Sequence, residues 1–110
     1  MANLKSFNFT RKDEINAVSA TPLQNAKNEV VTVKGCAVSE RIDDKTGEPM
    51  TVGYLVTEEY GTMTTISKTA LRGIDLLIDY MNEENADTCE VAVKASTSKG
   101  GREFITIEIR

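Results

Sequence analysis

The order in which apolar strands and one helix follow each other constrains this chain most. Val30–Ile42 and Met50–Thr57 read as strands on either side of the turn Asp43-Asp44-Lys45-Thr46-Gly47-Glu48-Pro49. Thr62–Ile66 reads as a short third strand, because its β-branched side chains fit a pleated surface. Lys68–Asn82 places Ala70, Leu71, Ile74, Leu77, Ile78 and Met81 at three- and four-residue steps, one apolar stripe of a helix. Cys89–Ser96 and Glu103–Ile109 then alternate around the turn Ser98-Lys99-Gly100-Gly101.

Strand-strand-strand-helix-strand-strand is the order of OB-type barrels. It predicts a mainly β fold: a five-stranded antiparallel barrel with the helix between its third and fourth strands. A single domain over residues 1–110 is expected, with residues 1–28 as an N-terminal arm or an extra strand. Phe7 and Phe9 share one side of a strand-like stretch, Arg11–Glu14 reads as a charged turn or the start of a short helix, and Ser19–Asn28 reads as a loop punctuated by Pro22. Gly35, inside the first long strand, marks the bend or bulge that a small barrel needs. Gly73 costs roughly 1 kcal/mol against alanine in a helix, so it points to close packing there. Ser67 is placed to cap the helix. Leu71, Ile74, Leu77, Ile78, Ile105, Ile107 and Ile109 form the expected core.

Composition bounds the function. The chain has no histidine, the commonest general base and metal ligand, and no GxxxxGK[ST] or GxGxxG phosphate loop. Asp43, Asp44 and Glu48 cluster without EF-hand spacing and read as a solvated turn. Cys36 and Cys89 lie far apart inside apolar strands, as buried reduced thiols do. No cofactor is implied, and binding is favoured over catalysis. No apolar run approaches the roughly 18 residues of a membrane span, and Met1–Lys5 lacks a signal peptide's apolar core. The expectation is a cytoplasmic protein with no membrane contact.

The net charge of −4 argues against an all-over grip on nucleic acid, but its distribution is uneven. Residues 1–35 carry five basic and three acidic side chains, residues 36–66 two and six, residues 67–90 two and six, and residues 91–110 four and two. If the two ends meet in the fold, a basic stripe faces an acidic back. A single-strand binder needs planar surfaces for bases and cations for phosphates. Tyr54, Tyr60 and Phe104 are the stacking candidates. Lys34, Lys94, Lys99, Arg102 and Arg110 are the phosphate candidates. Phe104 is the most pointed, on the polar face of a strand beside a glycine-bearing basic loop. Two of these have bland alternatives: Phe104 packed under the N-terminal segment against Phe7 or Phe9, and Tyr54 as a core residue.

Thr65-Ile66-Ser67, the amphipathic helix, an apolar strand and then Ser98-Lys99-Gly100-Gly101-Arg102-Glu103-Phe104-Ile105 before a last strand resemble small phage-type single-stranded DNA-binding proteins. The resemblance covers roughly the last half of the chain. It implies an OB-fold that protects single-stranded replication intermediates. The chain departs from bacterial single-strand binders by ending inside its last strand, at Glu108-Ile109-Arg110, without their acidic apolar-tipped tail. A competing reading is a small phage-type protein whose acidic middle mimics nucleic acid and inhibits another protein. A viral assembly protein is a third. Self-association and a protein partner are left open.

Overall fold

The computed structural model describes residues 2–110. In chain order these form β1 (Ala2–Phe7), α1 (Arg11–Asn16), β2 (Thr21–Pro22), β3 (Val30–Ile42), β4 (Pro49–Thr57), β5 (Gly61–Thr65), α2 (Lys68–Glu84), β6 (Cys89–Thr97) and β7 (Glu103–Ile109). Short 3-10 turns at Ala17–Ser19 and Leu23–Ala26 flank β2.

The long strand β3 organises the sheet. One of its edges pairs with β4, from Val33 opposite Thr57 to Ile42 opposite Pro49. The other edge is shared: Val30–Val33 pairs with β6, while Cys36–Glu40 pairs with β1. The hand-over falls at Gly35, where the β3–β4 register shifts. A Cβ on Gly35 would come within 2.5 Å of the Asn8 carbonyl oxygen. The chain leaves β1 there through Asn8, at φ 48°, whose side-chain amide donates to the Lys34 carbonyl at 3.0 Å. Gly35 therefore serves a bulge and a close backbone approach together.

The expectation of a five-stranded antiparallel barrel is corrected. The sheet has seven strands, in the order β2-β5-β4-β3-β6-β7 with β1 added on β3, and β2 pairs with β5 in parallel. It is a curled, mainly antiparallel sheet whose path ends at β7 without returning to β5. The two added strands come from residues 2–28: β1 is the extra strand that the Phe7/Phe9 stretch suggested, and β2, only two residues long, is too short for periodicity to register.

α2 packs on the concave side of the sheet. Ala70, Ile74, Leu77, Ile78 and Met81 are buried against Val31, Val33, Leu55, Met63, Val91 and Val93. Two glycines let it come close. A Cβ on Gly53 of β4 would meet Ile74 Cδ1 at 2.7 Å, and one on Gly73 would meet Ile107 Cγ1 at 2.5 Å. The expected core holds for Ile74, Leu77, Ile78 and Ile105, whereas Leu71 and Ile107 are half-buried. Ile109 is 39% exposed at the end of β7, opposite Val91. Ser67 makes no capping bond to α2; its hydroxyl is spent on β7 instead.

The opposite face of β4 is also covered. Val52 and Tyr54 form a second cluster with Ala17, and Phe9, Ala20 and Met50 pack around it. The N-terminal segment is thus a lid over β4, held by a capping box in which Thr10 and Asp13 satisfy each other's backbone donors. Lys5 of β1 reaches Asp75 and Asp79 of α2 at 3.1 and 2.6 Å.

Leu77→Ala should cost about 2–5 kcal/mol of stability in a denaturant melt, because the side chain is fully enclosed. Leu76→Ala, one residue away and 58% exposed, should change it little. Equal losses for the two would contradict the placement of the helix. Gly73→Ala should destabilise despite alanine's better helix propensity, because the new methyl meets Ile107.

Candidate nucleic-acid interface

An antiparallel sheet that curls without closing leaves a seam, here between β5 and β7. The backbone groups along a seam need other partners, and side chains supply them. At one end the Ser67 and Thr69 hydroxyls both donate to the Ile105 carbonyl, at 3.2 and 2.8 Å. This ties the start of α2 to β7. At the other end β2 lies along β5, and the following 3-10 turn drops Leu23 and Ala26 into the core. Gln24 and Lys27 then reach across to the Glu103 carboxylate of β7, at 3.4 and 3.2 Å.

Between these stitches a groove of about 850 Å³ opens. Leu23, Ile66, Phe104 and Ile105 give it apolar walls, Thr64, Thr65 and Ser67 supply hydroxyls, and Lys68 and Arg102 stand at its margin. A shallower depression of about 450 Å³, lined by Met50, Thr51 and Leu71, shares Ile66 and Lys68 with it. Ile66 is 62% exposed, a large apolar side chain on the ridge between the two. Among the described residues no carboxylate reaches ion-pair distance of Lys68, Lys99 or Arg102.

The β6–β7 turn aims the basic residues. Ser98 and Arg102 close it with a 2.9 Å backbone bond, Gly101 takes φ 79° there, and the Ser98 hydroxyl accepts from the Arg102 N–H at 3.3 Å. Lys99 sits exposed at its tip. Phe104 pairs with Ser96 and Thr106 with Lys94, so Phe104 and Lys94 share the outward face of the hairpin. An exposed apolar-walled groove with flexible cations at its rim suits a ligand with flat apolar faces on an anionic backbone.

The sequence matches the phi29-type phage single-stranded DNA-binding protein family over residues 6–110. The chain belongs to this family. No curated protein and no solved structure matches it.

The residues singled out from sequence fall at different places in this family member. Phe104 and Arg102 line the groove, while Lys99 is exposed on the adjoining turn and is not part of the lining. Phe104 is half-buried beside Pro22, Leu23 and Gln24, so the N-terminal segment does flank it, though through β2 and its turn. Lys94 is exposed but engages Glu108 at 2.8 Å. Lys34 is exposed where β1 ends, away from the groove lining. Arg110 is exposed, and its N–H donates to the Glu90 carbonyl.

Tyr54 as a stacking surface is corrected. It is 1% exposed, with its ring stacked on Phe9 at 5.7 Å under the N-terminal lid, and no base can reach it. Tyr60 sits at the β4–β5 turn, half-buried against the core, and its hydroxyl donates to Glu29 at 2.6 Å. Lys68 and Ile66 were missed. Their position beside the groove depends on where the seam falls, and no spacing in the sequence marks it.

Tyr60, Glu59 and Cys36 are among the groups whose acidities are shifted. The Glu29 carboxylate accepting from Tyr60 pushes that phenol above its ordinary range. The Thr32 N–H, donating to Glu59 at 2.8 Å, holds Glu59 low. Burial pushes the Cys36 thiol up to about 12, with the nearby Cys89 adding to it. Both cysteines are buried and unpaired, poor nucleophiles in the folded state.

The Tyr60 shift has a sign that can be checked. A folded pKa above the unfolded value means the bond to Glu29 stabilises fully below about pH 10 and is lost as pH rises through the folded pKa. In an ultraviolet alkaline titration, the difference between wild type and Tyr60→Phe should show Tyr60 ionising above an ordinary tyrosine. Glu29→Gln should bring that step down. A Tyr60 step unchanged by Glu29→Gln would contradict the hydrogen bond.

Proposed function

We propose that this protein coats single-stranded DNA during phage replication, in the host cytoplasm, as a binding protein without catalytic activity. The strand lies over the β5–β7 seam. Phe104 stacks a base, Arg102, Lys99 and Lys68 hold phosphates, and Lys94 extends the track once a phosphate draws it from Glu108. Family membership across residues 6–110 carries this reading, and the groove that Phe104, Arg102 and Lys68 line supports its location at the seam.

In this reading the chain from β3 to β7 is an OB-type barrel in which side-chain stitches replace the closing ladder. Tyr60 and Lys34 lie outside the seam and have no part in the track. The inhibitor alternative is disfavoured, because Asp75 and Asp79 on the acidic helix are engaged by Lys5 and are less free to imitate phosphates. With a net charge of −4, affinity per protomer is modest and falls quickly with salt, so several protomers on one strand add usefully to it.

Titration of fluorescent oligo-dT at several salt concentrations tests the reading. Phe104→Ala should weaken binding by about 1–3 kcal/mol, the worth of one stacked base. Lys99→Ala, Arg102→Ala and Lys68→Ala should each reduce the slope of log K against log salt by about 0.7, one phosphate contact on a single strand. Unchanged affinity in a folded Phe104→Ala, Lys99→Ala, Arg102→Ala triple variant would move the site elsewhere.

A further inference from the structure

Glu103 is an oddity in this track. It stands between Arg102 and Phe104 in sequence and lines the same groove, so it puts a carboxylate where phosphates are expected. Its charge is met by Lys27, with both carboxylate oxygens 3.2 Å from Nζ, and by the Gln24 amide at 3.4 Å. Lys27 in turn stands at the rim of the seam, on the residue that ends the 3-10 turn after β2. The pair is open to water, with the two side chains 39% and 43% exposed. Such a pair contributes little to stability and is easily traded for another partner of the same charge.

We propose that Lys27–Glu103 is an exchangeable clasp: a DNA phosphate takes Lys27 from Glu103 and makes Lys27 a further phosphate contact. The inference rests on the seam being the DNA site. In the free protein the clasp fastens β2 and its turn across the seam. On binding, Lys27 turns to the strand, and Glu103 keeps the Gln24 amide and water. Exchange also sets the salt dependence. In the wild type, the counterion released by the new phosphate contact is offset by one taken up around the freed carboxylate. Lys27 is therefore silent in the salt slope while Glu103 is charged.

A double-mutant cycle on oligo-dT binding tests this. Glu103→Gln preserves a hydrogen-bonding side chain for Gln24 and Lys27, and a thermal melt checks that each variant folds. Glu103→Gln should bind more tightly at low salt and steepen the log K against log salt slope by about 0.7, one single-strand phosphate contact. In a Lys27→Gln background the same Glu103→Gln change should leave the slope unaltered. Equal steepening in both backgrounds would show simple removal of a repelling charge and overturn the exchange. Unchanged binding with a lowered melting temperature would show a purely structural clasp and also overturn it. If the wild type binds oligo-dT without salt sensitivity, the single-strand reading itself fails and the exchange with it. If the wild type binds as expected and only the cycle fails, the exchange alone is wrong.

Discussion

The rest of the structure depends on the missing ladder between β5 and β7. A sheet that curls this far exposes two edges to each other, and unpaired edge groups must find partners. Here the partners come from the flanks: hydroxyls at the start of α2 on one side, and the short β2 with its turn on the other. Side-chain stitches hold the edges apart instead of zipping them together. The space between them is the groove. Had β7 paired with β5 along its length, Ile66, Lys68 and Phe104 would flank a closed ladder instead of an open groove.

That constraint explains how an acidic protein can present a basic site. The N-terminal third and the last strands, the two mildly basic parts of the chain, meet at the seam through Gln24, Lys27 and Glu103. The acidic charge on α2 faces elsewhere, and part of it is spent holding Lys5 and hence β1. On the proposed reading, an approaching phosphate meets the local field at the groove before it meets the net charge. On the same reading, the groove's apolar walls add an attraction for bases that salt does not screen.

Much of the fold was legible in the sequence because its signals are local. The boundaries of β3 and β7 follow alternation, and the buried stripe of α2 follows three- and four-residue spacing. Gly35 was readable as a bulge or bend and Gly73 as close packing, because glycine is costly inside regular elements. Ser67 takes the N-cap position as expected, but its hydroxyl does not cap, because the competing acceptor, Ile105, lies 38 residues away. Tyr54 was misplaced as a site because β4 is covered on both faces, and the covering residues Phe9 and Ala17 look like part of an arm. The place of Lys68 and Ile66 in the groove lining was not legible for the same reason: it arises from an absent strand pairing. Phe104 and Arg102 could be singled out as candidates, because an outward aromatic next to a glycine-bearing basic turn is a pattern in one short stretch, and both line the groove.

The central claim is that single-stranded DNA occupies the seam, and amide chemical-shift mapping with oligo-dT on the isotopically labelled protein tests it most directly. The largest shifts should fall on residues 64–69 and 99–105, from both sides of the groove at once, with the exposed face of α2 around Leu76 and Tyr80 unaffected. Shifts confined to that helix face, or to β1 and α1 with the seam unperturbed, would contradict it.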